Sequence, residues 1–335
     1  MSVNQKAELS IMTPMDALKQ RYRLALVTGG AGFIGSHLVD ALLENGIAVR
    51  VVDNLSTGHL ENLAHVMDKI EFFNADIEDM ATMEKITQGC DVIFHQAAMV
   101  SVPQTIEQPL KSAMANDIGT LNVLEAARKH RVKRVVMASS CAVYGDAPGL
   151  PKKETMDISP LSPYAVQKLT GEYYGSLYAA LYGVETVCLR YFNVYGPRQD
   201  PSSPYSGVIS IFMQKALAGE VPAIYGDGSQ YRDFVFVKDV VRANLLGALA
   251  EVAQGLICNI GTGKTIMINA LWDTIKRLAH ADTHPVHKEA REGDIRESMA
   301  DISRANEMLA FQPAYSFDTG IGETFAWYQK SMAAG

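Results

Sequence analysis

The stretch Thr28-Gly29-Gly30-Ala31-Gly32-Phe33-Ile34-Gly35 decides the fold, because it joins an apolar segment to a helical one. The segment before it, Leu24–Thr28, is predicted to be a buried strand, and residues 36–45 carry apolar side chains at helical spacing. The glycines satisfy two overlapping patterns, GxGxxG and GxxGxxG. They permit a tight turn and let a pyrophosphate approach the backbone at the N-terminus of a helix. We therefore predict a dinucleotide-binding turn here.

Strand-like and helical segments alternate along the chain that follows. The next strand is predicted at Ala48–Asp53. Further strands are predicted at residues 70–75, 92–96, 135–139 and 187–192, with helices at 112–130 and 163–182. This alternation is typical of a parallel sheet that helices cover on both faces. The predicted fold class is α/β, a Rossmann-type doubly wound parallel sheet with a smaller α/β lobe that binds substrate.

Asp53 ends the second predicted strand, 18 residues after Gly35. An acid at this position hydrogen-bonds the ribose diol of a bound dinucleotide. Its charge would repel a 2′-phosphate, so the sequence predicts NAD rather than NADP. The alternative is a solvated acid at a strand end. Asp76, at the end of the third predicted strand, is a weaker candidate for a contact near the adenine.

The segment Tyr164-Ala165-Val166-Gln167-Lys168 places a phenol and an ammonium four residues apart, on one face of a predicted helix. Ser162 and Pro163 suit its N-cap and first position. Ser139 and Ser140 end the strand before it. A nearby cation is expected to lower the pKa of the tyrosine, which could then take a proton from a substrate hydroxyl. The alternative is an amphipathic helix that happens to contain both residues.

The composition excludes several classes of protein. The 335 residues are 48% hydrophobic and 20% charged, which is typical of a globular protein. A net charge of −7 argues against nucleic acid as a partner. No apolar run approaches the roughly 20 residues of a membrane-spanning helix. The four cysteines and the pair His284 and His287 lack metal-site spacing, so no metal is expected, and free thiols favour a cytoplasmic location.

Four motifs together resemble one family: TGGAGFIG at 28–35, YAVQK at 164–168, LRYFNVYGPRQ at 189–199 and RDFVFVKDV at 232–240. They resemble the extended short-chain dehydrogenase/reductases, and among them the NAD-dependent nucleotide-sugar 4-epimerases of the UDP-N-acetylglucosamine type. The resemblance covers about residues 21–330. It implies that Tyr164 is the catalytic base, that Lys168 binds the nicotinamide ribose, and that Ser140, 24 residues before Tyr164, completes the site.

The same resemblance implies the residues that contact NAD and a UDP-sugar. The cofactor contacts are expected from Gly29, Gly32, Phe33, Ile34, Gly35, Asp53, Asn54, Asp76, Ile77, Gln96, Ala97, Asn116, Tyr164, Lys168 and Tyr191. The substrate contacts are expected from Ser101, Ser140, Cys141, Asn193, Tyr225, Arg232, Arg291, Asp294 and Ser298. Of these, Asn193, Arg232 and Arg291 would hold the diphosphate, Asp294 the ribose and Tyr225 the uracil.

The residues after the catalytic serine narrow the reaction. Dehydratases and decarboxylases of this family carry acids there, whereas this chain has Cys141 and Ala142. Elimination and decarboxylation would therefore lack an acid/base partner. The remaining reaction is 4-epimerisation, in which the sugar is oxidised at C4, turns over as a 4-keto sugar and receives hydride on its other face.

Ser298 is implied to set the size of the accepted sugar. Epimerases restricted to glucose have a bulky tyrosine at this position, and a serine leaves room for an N-acetyl group at C2. We expect UDP-N-acetylglucosamine and UDP-N-acetylgalactosamine as substrates. The SVPQ segment that begins at Ser101 also resembles the members of the family that are specific for N-acetylated sugars. UDP-glucose and UDP-N-acetylglucosaminuronate remain the alternatives. A non-catalytic NAD-sensing regulator is a further alternative, which the intact glycine turn and Tyr164–Lys168 pair disfavour.

The predicted organisation divides the chain into three parts. Residues 1–20 are expected to be an N-terminal extension. Residues 21–192, with a returning segment at about 233–263, are expected to form the NAD-binding domain. Residues 193–232 and 264–335 are expected to form the sugar-nucleotide lobe. The family is usually homodimeric through two helices per subunit, so a homodimer is expected.

Two further segments of the second half carry predictions. Residues 194–232 are rich in Gly, Pro, Ser and Tyr, which favours loops over a ligand more than a packed layer. The run Gly261-Thr262-Gly263-Lys264-Thr265 is similar to the end of a P-loop, but position 258, where that motif needs its first glycine, is Cys258. We therefore predict an ordinary turn between a strand and a helix.

Overall fold

The computed structural model describes residues 14–200, 207–290 and 296–334. Within them, the first six strands are β1 (Leu24–Thr28), β2 (Ala48–Asp53), β3 (Ile70–Asn74), β4 (Val92–His95), β5 (Arg134–Ser140) and β6 (Glu185–Tyr191). The later strands are β7 (Asn193–Tyr195), β8 (Ala223–Tyr225), β9 (Tyr231–Arg232), β10 (Phe234–Phe236), β11 (Gln254–Ile260), β12 (Ile266–Met267) and β13 (Val286–Lys288).

The helices lie mostly between these strands. They are α1 (Pro14–Arg21), α2 (Phe33–Glu44), α3 (Met80–Thr87), α4 (Val102–Glu107), α5 (Pro109–Ala113), α6 (Gly119–Lys129), α7 (Pro163–Tyr182), α8 (Val208–Leu217), α9 (Val237–Leu249), α10 (Ile268–Leu278), α11 (Ser303–Leu309) and α12 (Phe317–Ala334). A π-helical turn, Met114–Ile118, joins α5 to α6. No helix in the described part of the chain is long and apolar enough to cross a membrane.

The central sheet confirms the predicted doubly wound architecture. Its strand order is β11-β6-β5-β4-β1-β2-β3, and every neighbouring pair is parallel. The chain runs outward from β1 through β2 to β3 and then returns to β4 on the other side of β1. Because ligands of such sheets bind beyond the carboxyl ends of the strands where the order reverses, the site is expected beyond β1 and β4.

Helices bury both faces of this sheet, as its continuous apolar strands require. On one face, Leu38 of α2 and Val240 of α9 belong to the same fully buried cluster as Val136 of β5. On the other face, Val123 of α6 packs in a cluster with Ile93 and Met137. A third core lies outside the sheet, where α8, α10 and α12 pack around aromatic side chains. Its large buried members include Phe212, Phe236, Trp272 and Tyr328.

Helix α7 shows how local sequence sets an element. Ser162 caps its N-terminus, with Oγ accepting a hydrogen bond from the N–H of Ala165 at 3.2 Å, and Pro163 occupies its first position. Gly183, with a φ of 70°, ends the helix in the left-handed conformation that glycine adopts without strain. The predicted bounds of this helix are therefore confirmed, together with those of β1 and β2.

Two expectations about the elements were wrong in part. Residues 194–232 are not all loop, because α8 lies there and buries Phe212 and Met213. The helix expected at 112–130 is divided by the π-helical turn. The end of the expected N-terminal extension is the packed helix α1, after which Tyr22 is 1% exposed and donates its hydroxyl hydrogen to Ala248 O at 2.6 Å.

Candidate active site

The glycine turn lies at the carboxyl end of β1, at the predicted switch point. Gly29 has a φ of +67°, and a Cβ there would lie 2.7 Å from the backbone N of Ala97. A Cβ on Gly35 would collide with the carbonyl oxygen of Gly29. At Gly32, which caps α2 without a side chain, a Cβ would meet only Gly29 O, so open space lies beyond it. A pyrophosphate fits this cradle, where the N–H groups of the first turn of α2 are oriented toward it.

Asp53 lies beside this turn at the end of β2 and is 7% exposed. Its carboxylate accepts hydrogen bonds from the N–H groups of Ala31 at 2.9 Å and Leu55 at 2.8 Å. Burial raises the pKa of Asp53, and these backbone hydrogen bonds oppose the rise. The next residue, Asn54, donates to the carboxylate of Asp76 at 2.7 Å. The predicted ribose acid therefore also braces the glycine turn, and Asp76 holds the loop beside it.

Two polar residues at this switch point, Thr28 and His95, were not predicted as site residues. The hydroxyl oxygen of Thr28 accepts the N–H groups of Gln96 and Ala97, each at 3.2 Å. It also lies 2.8 Å from Nδ1 of His95, whose Nε2 lies 2.9 Å from Oγ1 of Thr120. Burial lowers the pKa of His95 to about 3, so the ring is neutral. The available signal was a polar residue ending each of the two buried strands, LALVT and VIFH.

The three predicted catalytic side chains meet at the carboxyl end of β5. Ser140 ends that strand, and its Oγ accepts the N–H of Ala142 at 3.1 Å. The hydroxyl of Tyr164, in the first turn of α7, hydrogen-bonds the side chain of Ser140. Lys168, one turn later, donates to Ala138 O at 2.9 Å, and its Nζ lies 5.8 Å from the centre of the Tyr164 ring. Spacing in the sequence therefore predicted a real spatial cluster.

The expected direction of the tyrosine pKa was wrong for the chain itself. Burial raises the pKa of Tyr164 to about 12, and the hydrogen bond with Ser140 lowers it only in part. Burial also lowers the pKa of Lys168 to about 8. The same burial therefore disfavours both charged forms, the tyrosinate and the ammonium of Lys168. The Nζ of Lys168 is also held by a backbone carbonyl.

Other predicted cofactor residues surround this cluster through hydrogen bonds within the protein. The hydroxyl of Tyr191 lies 3.0 Å from Oδ1 of Asn244 and 3.3 Å from Oε1 of Gln96. The side-chain amide of Asn116 accepts the N–H of Met99 at 2.7 Å and donates to its carbonyl at 3.0 Å. Both side chains thus hold the segment after β4, which borders the glycine turn.

Four further predicted residues are placed at the edges of the site. Ile77 is 6% exposed and packs in the core, and Phe33 and Ile34 are partly buried at the start of α2. Ser101 caps α4, with Oγ accepting the N–H of Gln104 at 3.2 Å. Their direct contacts with ligand stay predictions.

Short strands bring the predicted diphosphate residues together. Asn193 begins β7, and its Nδ2 donates to the backbone O of Asp233 at 3.0 Å. Arg232 ends β9, and its Nη1 donates to the backbone O of Arg296 at 3.0 Å. Ser298 is 9% exposed and pairs with this region, accepting the N–H of Asp233 at 2.8 Å. The structure therefore places Asn193, Arg232 and Ser298 along one group of short strands.

Of the remaining predicted substrate residues, Tyr225 and Cys141 lie in the described part of the chain. Tyr225 ends β8, with Nζ of Lys288 6.0 Å from its ring centre. Burial raises the pKa of the Cys141 thiol to about 11, and Asp233 adds to the rise, so it is a neutral thiol at the site. Arg291 and Asp294 lie outside the described residues.

The fold and this site define a class. A dinucleotide turn at the switch point, beside a half-buried Ser–Tyr–Lys cluster, is the arrangement of an enzyme that uses a nicotinamide dinucleotide. A family model described as the NAD dependent epimerase/dehydratase family matches residues 25–261. The chain belongs to this family and is an NAD-dependent enzyme. The predicted family, fold class and cofactor are thereby confirmed.

Named relatives are similar over almost their whole length. A putative UDP-glucose 4-epimerase of Methanocaldococcus jannaschii is 44% identical over 310 residues, 92% of this chain and 99% of the relative. The crystal structure of Thermotoga maritima UDP-glucose 4-epimerase with UDP-glucose is 41% identical, with a TM-score of 0.88 over 92% of this chain and 99% of that one. A UDP-N-acetylglucosamine 4-epimerase of Methanobrevibacter ruminantium, in complex with UDP-N-acetylmuramic acid, is 40% identical, with a TM-score of 0.89 over 93% and 100%.

Proposed function

We propose that this enzyme is a UDP-sugar 4-epimerase whose substrates are UDP-N-acetylglucosamine and UDP-N-acetylgalactosamine. The observation that carries the reaction is the meeting of Ser140, Tyr164 and Lys168 beside the glycine turn. The similar enzymes named above support the reaction. Their names differ in the sugar, so the choice of the N-acetylated sugar depends on the residues of the pocket.

The chain's own residues move one proton. NAD, when bound, supplies a reversible acceptor for the hydride at C4. The phenol oxygen of Tyr164 takes the proton from the C4 hydroxyl and later returns it to the same oxygen of the sugar, so the reaction needs no net acid, base or oxidant. The Ser140 hydroxyl shares this hydrogen bond, and the positive charge of Lys168 stabilises the phenolate.

The residues that follow Ser140 provide no second acid or base beside Tyr164. Cys141, whose pKa burial raises to about 11, is neutral at physiological pH. Neither it nor Ala142 offers a carboxylate that could drive elimination or decarboxylation. The site therefore supports oxidation and return at a single carbon, which is epimerisation.

Ser298 supports the N-acetylated substrate. Its side chain is small and almost buried, on a segment that pairs with Tyr231 and Asp233 at the predicted diphosphate residues. A tyrosine in its place would fill the volume that an N-acetyl group needs. UDP-glucose or UDP-N-acetylglucosaminuronate as the preferred substrate remains the competing proposal.

The test compares three sugars and one substitution. Purified protein, without added NAD, is incubated separately with UDP-glucose, UDP-N-acetylglucosamine and UDP-N-acetylglucosaminuronate, and the products are resolved by chromatography. We expect the N-acetylated hexosamine to turn over fastest, and S298Y to abolish its use while sparing UDP-glucose. The control S303Y changes an exposed serine at the start of α11 and should preserve the preference. Equal loss on all sugars in S298Y would refute Ser298 as the determinant of sugar size.

We also propose a homodimer that uses the exposed apolar face of α4–α6 and α7. Large apolar side chains remain exposed there at helical spacing: Ile106, Leu110, Met114 and Ile118 on one side, and Val166, Tyr173, Leu177 and Leu181 on the other.

The division into an NAD-binding domain and a sugar-nucleotide lobe, and a cytoplasmic location, are further parts of the proposal. The separate core around Trp272 supports the division.

A further inference from the structure

Asp233 is a fully buried carboxylate beside the predicted substrate residues, and the catalytic chemistry does not use it. Its Oδ1 accepts hydrogen bonds from the N–H of Thr262 at 2.8 Å and from the hydroxyl of Thr262 at 2.6 Å. Its Oδ2 accepts the N–H groups of Gly263 at 2.9 Å and Ala300 at 3.1 Å. Four donors from two separate segments therefore converge on one side chain.

The P-loop-like turn at 261–263 thus binds an anion that the protein itself supplies. Two successive backbone N–H groups, those of Thr262 and Gly263, hold the carboxylate where a P-loop would hold phosphate. A Cβ on Gly261 would lie 2.7 Å from Cβ of Ala300 and 2.8 Å from Oδ2 of Asp233. The three segments are therefore packed as closely as a glycine permits.

The backbone of Asp233 extends this arrangement to two predicted substrate contacts. Its N–H donates to Ser298 O at 2.8 Å, and its carbonyl accepts both the backbone N–H and the side-chain Nδ2 of Asn193, at 3.1 and 3.0 Å. The carboxylate fixes Ala300, two residues beyond Ser298. The segment that carries Ser298 is therefore held at both ends by Asp233.

We propose that Asp233 is a positioning residue that sets the width of the sugar pocket, by fixing the Ser298 segment against Asn193 and the 261–263 turn. The inference rests on the proposed function, because the width matters through the C2 substituent that Ser298 admits. Asp233 touches neither sugar nor cofactor in this role. It acts through the position of Ser298 and Asn193.

The substitution D233N tests this with almost no change in volume. An asparagine side chain has only one acceptor oxygen. In either orientation its NH₂ group would therefore face backbone N–H groups that now donate hydrogen bonds to the carboxylate, and those hydrogen bonds would be lost. We expect KM for UDP-N-acetylglucosamine to rise roughly tenfold, because one or two charge-assisted hydrogen bonds are lost. The kcat should fall less than KM rises, and the preference for the N-acetylated sugar over UDP-glucose should shrink by a similar factor.

Asp239 provides the matched control. It is also fully buried, and it accepts the N–H groups of Ala314 at 2.8 Å and Tyr315 at 3.2 Å, outside the substrate residues. D239N should destabilise the protein without changing the sugar preference. A D233N protein that loses stability like D239N but keeps the wild-type preference and KM would overturn the proposal.

A second variant and a substrate-independent measurement complete the test. G261A keeps the carboxylate but pushes against Ala300, so it should also change the sugar preference, even where D233N folds poorly. The affinity for UDP alone, measured by calorimetry, should fall in D233N because the side chain no longer fixes the backbone of residue 233, whose carbonyl holds Asn193. If none of the three sugars is epimerised, the proposed function fails, whereas unchanged UDP affinity in both variants would refute the role of Asp233 independently.

Discussion

At the scale of single residues, Tyr164 and Lys168 show how burial competes with charge. Burial raises the pKa of Tyr164 to about 12 and lowers that of Lys168 to about 8. In the chain alone, the phenol is therefore protonated at neutral pH. A positive charge brought close to the phenol would favour the phenolate, and the oxidised nicotinamide of bound NAD carries such a charge.

The phenol hydroxyl is expected to be indispensable to turnover while contributing little to the fold. We expect Y164F to fold, to retain NAD and to lose about 10²- to 10⁴-fold in kcat, the usual contribution of a positioned acid/base group. Steady-state kinetics and the absorbance of bound cofactor measure both properties. Y182F removes the hydroxyl of an exposed tyrosine at the end of the same helix and should be as active as the wild type. Near-normal turnover in Y164F would show that another group moves the proton.

The sequence predicted those residues that occur at fixed spacings and missed those that meet only in three dimensions. Ser140, Tyr164 and Lys168 follow from one strand end and one helical turn. Nothing in the spacing of Thr28 and His95 indicates that their side chains join β1 to β4. The direction of the Tyr164 pKa was wrong for the same reason, since it depends on how completely the assembled fold buries the phenol.

At the scale of elements, a buried ion pair fixes α7 against the strands that end in the site. Glu172, one turn beyond Lys168, accepts hydrogen bonds from Nε and Nη2 of Arg190 on β6 at 2.8 and 2.7 Å. It also accepts the hydroxyl hydrogen of Ser139 on β5 at 2.5 Å. The guanidinium lies 4.8 Å from the ring centre of Tyr144. The helix that carries Tyr164 and the strand that carries Ser140 are therefore held in one relative position.

Removing one charge of this pair should be costly. We expect E172Q to lower the free energy of unfolding by about 3–5 kcal/mol, because Arg190 would be left buried and uncompensated. Denaturant titration measures the loss, and kcat should fall with it as α7 shifts against β5. The double variant E172Q/R190M should recover part of the stability, because no unpaired charge remains buried.

An exposed ion pair provides the control for the stability loss in E172Q. Glu84 and Lys129 form an ion pair between partly exposed side chains, and E84Q should cost less than about 1 kcal/mol. A cost in E172Q no greater than that in E84Q would show that the buried pair does not hold the helix.

The elements themselves were predictable where the sequence carries explicit end signals. Ser162 and Pro163 indicated the start of α7, and the structure shows that Gly183 ends it. Helix α8 was missed because its apolar ten residues lie within a longer stretch whose average composition is that of loops. The π-helical turn Met114–Ile118 interrupts an otherwise continuous helical pattern, and the sequence carries no proline at that turn to indicate it.

At the scale of the whole molecule, the charge of −7 indicated nothing about the ligand, because the predicted site depends on a few local groups. The doubly wound parallel sheet was predictable from alternating strands and helices, and the glycine turn placed the dinucleotide site at the carboxyl end of β1. The packing of the C-terminal segments around Trp272 was not, since it unites α8, α10 and α12 from distant parts of the chain.

The exposed apolar face leads to a prediction about assembly. The side chains of Leu110 and Leu177 are 83% and 50% exposed, on neighbouring helices that leave a continuous series of apolar residues uncovered. Large exposed apolar patches mark contact surfaces, and a two-fold axis would pair this face with its own copy. Four helices, two from each chain, would then bury it.

Introducing charge on this face should separate the subunits. We expect the wild type to sediment as a dimer and L110K/L177K to sediment as a monomer, because burying two lysines from each chain opposes association. Analytical ultracentrifugation over a range of concentrations measures the change. V252K, which places a lysine at an exposed valine after α9, should remain dimeric. A variant that stays dimeric like V252K, or a wild type that is monomeric throughout, would show that this face is not the subunit interface.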